Sequence, residues 1–309
     1  MTANKTVKQS TRKATARPVA KSVKSASPKA APAAATESVQ PAAARPAPAK
    51  GAATKPGAAA AKAPAPRMTL GEVMRLLESL GSEQTRKTWL RHGATGPMFG
   101  VLFGELFKLM KRIDVDHPLA LELWVTGNVD ARNLAMKIVD PARITPAELD
   151  RWAVENPMPM CGLYIATIAA ESPHAQAKLR QWLASSDERL VAAGWTLLGR
   201  LSDLDESFPE EELRRRVGEI EASIHAAPNL VRGDMNRTLI TIGGRSPDLR
   251  QAVLAAAKRI GDVTVDHGDT SCKTPGAEAT VEKMWARSGA KFPSPAAHER
   301  SMKSMRRRC

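Results

Sequence analysis

Residues 120–135 read ALELWVTGNVDARNLA, and residues 178–193 read KLRQWLASSDERLVAA. Laid over each other they share one order. A helix ends near a Trp (Trp124, Trp182), a short turn follows, then an Asp (Asp130, Asp187), then an Arg two residues on (Arg132, Arg189). Apolar residues return at three- and four-residue steps, the period of a helix that buries one face. An Asp at a helix start accepts backbone N–H groups and complements the dipole, so each Asp is expected to open a second helix. A weaker third copy, APNLVRGDMNRTLITIG at 227–243, keeps Arg232 near a helix start but has no matching Trp or Asp. Helix pairs that bury their faces only against their neighbours make an α-solenoid.

The same grammar runs through the rest of the body. Thr69 with Glu72, Thr145 with Glu148 and Ser207 with Glu210 have capping-box spacing. Thr145-Pro146, Ser172-Pro173 and Ser246-Pro247 place a cap residue before a Pro at the first helical position. Leu102, Leu106, Leu109, Met110 and Ile113 form one apolar stripe, and Leu179, Trp182 and Leu183 another. The spacing predicts helices over 70–80, 83–92, 101–113, 117–126, 129–139, 146–155, 160–170, 173–184, 187–202, 209–225, 229–242, 247–260 and 277–287. No segment alternates over more than a few residues, so no sheet is expected. Short connections imply antiparallel neighbours, about six pairs in all.

Charge divides the chain differently. Of the formal net charge of +14 on 309 residues, residues 1–67 carry +12 and residues 283–309 carry +7, so the body between them is slightly acidic. Residues 1–67 contain no Leu, Ile, Phe, Trp or Tyr. Such a segment buries too little apolar surface to offset its ordering entropy, so a disordered basic arm is expected there. The expected organisation is arm 1–67, helical repeat domain 68–287 and short basic tail 288–309. Spaced lysines among Ala and Pro suit a polyanion, and nucleic acid is the first candidate partner. A solubilising tail and a transit peptide are the alternatives. No run of ~20 apolar residues is present, so no membrane span is expected. Three scattered cysteines form no disulfide framework and fit a reducing cytosol, with the protein at the nucleoid.

Four arginines are candidate DNA-binding residues: Arg132, Arg189, Arg232 and Arg237, placed to start or line the second helices of the pairs. A guanidinium recognises phosphate through two parallel hydrogen bonds, and a helix N-terminus adds donors and a favourable dipole. A groove of this kind reads the backbone of duplex DNA rather than base edges. For each Arg, a salt bridge to Asp130 or Asp187 is the competing structural role. The polar run Asp266-His267-Gly268-Asp269-Thr270-Ser271-Cys272-Lys273 is read as a loop closing the last repeat. No metal-ligand spacing occurs, and neither a metal nor a cofactor is expected.

GPMFGVLFGELFKLMKRI (96–113), DHPLALELWVTGNVDARNLAMKIVDP (116–141) and ELDRWAVEN (148–156) resemble the bacterial DNA alkylation repair proteins, the AlkD-like glycosylases. PNLVRGDMNRTLITIG (228–243) and VDHGDTSCK (265–273) resemble a subgroup of them. The resemblance covers about residues 68–285 and implies a HEAT-like α-solenoid. It also implies a protein that cups duplex DNA and excises cationic alkylpurines without flipping the base. That chemistry uses two Trp around the lesion and an Asp at the deoxyribose, where a carboxylate stabilises the oxocarbenium-like sugar. The family sets the first Trp and the Asp just after the segment matching 148–156, where this chain reads Asn156-Pro157-Met158-Pro159-Met160-Cys161-Gly162-Leu163-Tyr164. The second Trp falls where Arg237 and Thr238 stand, and the Arg near the catalytic Asp falls near Val191–Ala192. No catalytic residue therefore transfers by position, and the catalytic set is unassigned. Glu155, Glu171, Trp152 and Trp195 are the possible replacements, with the two Trp reading as core.

Three functions follow from these observations. The first is a DNA-binding protein that engages duplex or damaged DNA through a concave groove and basic tails. The second is an alkylpurine DNA glycosylase using other residues. The third is a HEAT-like scaffold that holds a protein partner.

Overall fold

The computed structural model describes residues 67–288. These form α1 (Leu70–Leu80), α2 (Glu83–Arg91), α3 (Phe103–Ile113), α4 (His117–Val125), α5 (Val129–Ile138), α6 (Pro146–Val154), α7 (Gly162–Glu171), α8 (Ala175–Leu183), α9 (Glu188–Leu204), α10 (Glu210–Ser223), α11 (Asn229–Gly243), α12 (Pro247–Ile260) and α13 (Ala277–Ser288). A single 3-10 turn, Pro159–Cys161, precedes α7. Among the described residues there is no strand. Every helix lies within two residues of its expected bounds. Apart from Arg67 and Ser288, the expected basic arm and tail lie outside the described residues.

Local chemistry explains most of the starts. Thr69 and Thr145 close full capping boxes with Glu72 and Glu148. Ser246 caps α12 ahead of Pro247. Two expected starts are corrected. Ser207 turns its hydroxyl to Asp205 at 2.5 Å, and α10 begins after Pro209 with no side-chain cap. Ser172 instead closes α7 on the Ala169 carbonyl and accepts the His174 N–H, so α8 starts at Ala175. Both hydroxyls satisfy a nearer partner, the usual competition for Ser at helix ends. Leu102 also leaves its expected stripe: it precedes α3 and is 56 % exposed.

From α4 onward the helices pair as α4–α5, α6–α7, α8–α9, α10–α11 and α12–α13, forming a HEAT-like solenoid. The second helices α5, α7, α9, α11 and α13 contact one another in that order. At the other end α1 packs on α4 and α5, and α3 packs on α5. Tryptophans fill the joints. Trp124 and Trp152 stack with centroids 4.1 Å apart and planes 7° apart, joining α4 to α6. The Trp182 indole donates to Asp150 at 2.7 Å, joining α8 to α6. Asp150 also accepts from the buried Lys178 at 2.7 Å and from Gln181 at 3.1 Å. Burial pushes the Asp150 carboxyl up, but the hydrogen bonds from Lys178, Trp182 and Gln181 outweigh it and hold the group below the usual carboxylate range.

Asp130 has a different job from the expected helix cap. Asn128 caps α5, accepting from the Asp130 and Ala131 N–H groups. The Asp130 carboxylate, 1 % exposed, accepts from the backbone N–H groups of Phe99, Gly100 and Val101 at 2.7, 3.0 and 2.9 Å. One buried carboxylate thus fastens the loop 92–102 to α5. Gly100 sits in that loop at φ +80°, where a Cβ would overlap the Ser82 carbonyl and the Arg86 backbone. Ser82 N–H closes on the Gly100 carbonyl, Val129 N–H on Pro97 and Thr95 N–H on Pro157. The loop is thereby placed beside the segment that enters α7.

Candidate functional site

The N-terminal turns of the second helices meet at a groove of about 420 Å³. Arg132 enters it from α5, Gly162 and Ile165 from α7, Arg189, Ala192, Ala193 and Thr196 from α9, and Leu230 and Asp234 from α11. Gly93 and Thr95 of the tethered loop supply another wall, and Glu155, Asn156 and Pro159 another. A solenoid repeats its geometry, so equivalent ends of successive second helices fall side by side.

Two of the four candidate arginines, Arg132 and Arg189, line the groove. Arg132 donates to the Trp124 carbonyl at 3.1 Å, to the Glu155 carbonyl at 3.0 Å and to the Glu155 carboxylate at 2.8 Å. It also lies 4.9 Å over the Trp124 ring. One guanidinium therefore closes the C-terminal ends of α4 and α6, as a cation at helix C-termini should. Burial lowers the Arg132 pKa from its ordinary value, and Glu155 opposes that shift. Arg189 is 54 % exposed; it gives one donor to the Val154 carbonyl at 3.2 Å and lies 3.5 Å from Asp187.

Arg232 repeats the Arg132 arrangement three pairs further along. It donates to the Ala227 and His225 carbonyls after α10 and to the Thr264 carbonyl after α12. Arg237 is 62 % exposed and lies 3.0 Å from Asp234. The expected salt bridges to Asp130 and Asp187 are replaced for Arg132 by one to Glu155, because Asp130 serves backbone amides.

The groove carries two carboxylates. The Glu155 Oε2 accepts from Arg132 and, at 2.8 Å, from the Trp124 indole. Asp234 was not singled out by sequence, since nothing in its neighbourhood along the chain distinguishes it from a solvated helix residue. In the fold α9 covers it. Burial pushes its carboxyl up to about 6, against the opposing pull of Arg237 and of the Thr196 hydroxyl. Glu171 is not among the groove residues, and Trp152 and Trp195 are core, 0 % and 3 % exposed.

The polar run 266–273 belongs to a strap between α12 and α13. Asn229 and Asp266 exchange a pair of hydrogen bonds at 2.9 and 2.8 Å, and Val265 packs toward Gly233. His267 meets Thr274 at 3.0 Å. Gly268, at φ +64°, approaches the end of α2: a Cβ there would lie 3.9 Å from the Arg91 carbonyl. The strap thus runs from the N-terminus of α11 to the end of α2. Among the described residues no group of three His, Cys, Asp or Glu could hold a metal ion, and no helix is long and apolar enough to cross a membrane.

Comparison with known proteins agrees with this architecture. Residues 73–269 match the family described as DNA alkylation repair enzyme. An uncharacterized protein of Listeria innocua is 28 % identical over 223 residues, covering 70 % of this chain and 97 % of the relative. An uncharacterized protein of Listeria monocytogenes is 27 % identical over the same length and coverage. A solved structure is 31 % identical with a TM-score of 0.66, covering 73 % of this chain and 97 % of its own. It is described as one of a new family of proteins related to the HEAT-like repeat DNA glycosylases with affinity for branched DNA structures. With residues 73–269, about two thirds of its length, matched to that family and its fold shared with a glycosylase-related structure, the chain belongs to the DNA alkylation repair enzyme family.

Proposed function

We propose that this chain is a DNA-binding protein that engages branched or damaged DNA mainly through the phosphate backbone, without base excision. The observation that carries this reading is the likeness, at 31 % identity, to a protein with affinity for branched DNA structures. The groove supports it chemically. Arg189 is an exposed guanidinium in the first turn of α9, where phosphate gains from both charge and dipole, and Arg237, exposed at the middle of α11 and outside the groove, adds charge alone. Arg132 and Arg232 act one step back, holding the turns from which those contacts are made. The Lys- and Arg-rich ends of the chain add a sequence-independent attraction that falls with salt.

Excision is not part of the proposal, for a chemical reason. The stretch 156–164, where the resemblance calls for a Trp and an Asp, supplies neither. Glu155, the carboxylate beside it, is already engaged by Arg132 and Trp124. Fluorescence anisotropy on a three-way junction, a four-way junction and a linear duplex of equal length tests the reading. Junction affinity at least about tenfold above that for duplex at physiological salt is expected. Equal affinity for all three would reduce the protein to a nonspecific polyanion binder.

A further inference from the structure

The groove holds more than phosphate contacts require. A phosphate site needs cations and N–H donors, yet this one sets two carboxylates, Glu155 and Asp234, among its walls. Those carboxylates repel a phosphate and accept from N–H donors. Apolar side chains line it as well, Pro159, Ile165, Ala192, Ala193 and Leu230, beside the polar Thr95, Asn156 and Thr196. The volume, about 420 Å³, falls within the ~300–1,000 Å³ typical of small-ligand sites, which is far too small for a duplex. Arg189 stands in the same groove with a half-exposed guanidinium.

We infer that the groove receives one unpaired nucleotide of a branched DNA, its amino-bearing base edge on Asp234 and its phosphate on Arg189. The apolar walls would flank the base faces, as base recognition outside a helix requires. The acceptor edge is built. Thr196 Oγ holds the Asp234 carboxyl from α9, and Arg237 holds it at 3.0 Å from its own helix. A carboxylate is the natural acceptor for an exocyclic amine such as N4 of cytosine. Branch points suit this demand, because a base there is already unstacked and its extraction costs little.

This inference rests on the proposed reading of the protein as a binder of branched DNA, and the test separates the two. Anisotropy titrations compare one three-way junction with an unpaired deoxycytidine at the branch and the same junction with a tetrahydrofuran abasic residue there. The cytosine junction is expected to bind about tenfold more tightly. Asp234→Asn is expected to bring it down to the abasic level, and Thr196→Val to remove part of the preference. Equal affinity of the wild-type protein for the two junctions would overturn the inference and leave branched-DNA binding standing. Failure of either junction to bind more tightly than linear duplex would remove both. The comparison of the two DNAs needs no variant, so it decides even where a substitution disturbs folding.

Discussion

Arg132 joins the carbonyl end of α4 to that of α6, with Trp124 under its guanidinium and the Glu155 carboxylate 2.8 Å away. Two successive helix pairs are thus locked through one side chain. Arg232 makes the equivalent link between the ends of α10 and α12. A cation that caps two helix C-termini and covers an indole contributes through charge, hydrogen bonding and packing together.

Arg132→Ala should therefore act first on stability. It strips three partially buried acceptors, including an anion, and a loss of about 3 kcal/mol is expected in urea unfolding. Arg189→Ala, half-exposed with one backbone contact, should change stability by less than about 0.5 kcal/mol and weaken junction binding severalfold. The reverse ranking would show that the groove arginines have been assigned the wrong tasks.

The Asp150 network makes a second stability prediction. Asp150→Asn leaves Lys178, 3 % exposed, without its anion and the Trp182 indole with a weaker acceptor. A destabilisation of about 3 kcal/mol is expected. Because hydrogen bonds depress the Asp150 pKa in the folded state, this stabilisation is present above its ordinary value of 3.8 and fades as pH falls through the folded value. Unfolding at pH 7 and pH 3 should show the wild-type advantage over Asp150→Asn shrinking in acid.

Asp234 has the opposite sign. Its carboxyl titrates at about 6 in the fold against 3.8 ordinarily, so the folded state binds the extra proton between those values. The stability linked to it is full below pH 3.8 and is lost as pH rises through about 6, up to about 3 kcal/mol. Arg237 on its own helix, Arg189 from α9, and Arg132 with Glu155 across the groove are the charges around it. Asp234→Asn should flatten this component of the profile, seen as the difference between variant and wild-type melting curves from pH 4 to pH 7.

Binding to DNA should fall steeply with salt, and removal of residues 1–67 should lower the slope of log affinity against log salt. An unchanged slope in the shortened protein would take the basic arm out of binding.

Purified protein is expected to release no 7-methylguanine from methylated duplex above the level of heat-denatured protein. Chromatography of the released bases measures it. Release that disappears in Glu155→Gln would return the protein to the glycosylases and show that the Arg132 pair opens on DNA.

The helices were legible in the sequence because their signals are local: a capping box spans three residues, and the apolar period needs only one helix. Thr69 with Glu72 forms as written. The misread starts, Ser172 and Ser207, are places where a hydroxyl had two local partners and geometry chose. The repeat is legible in outline, yet the third copy, the weakest in sequence for want of a Trp, carries the arginine whose contacts best match those of Arg132. The groove was not legible. Asp234 gains its character from burial against α9, Arg132 from Glu155 beyond α6, and the strap at Gly268 from the end of α2. Periodicity tells which face of a helix is buried but not against what, and desolvation and ion pairing depend on what covers each group. The chain alone determined that it would stack helix pairs; only their packing decided which charges stand together.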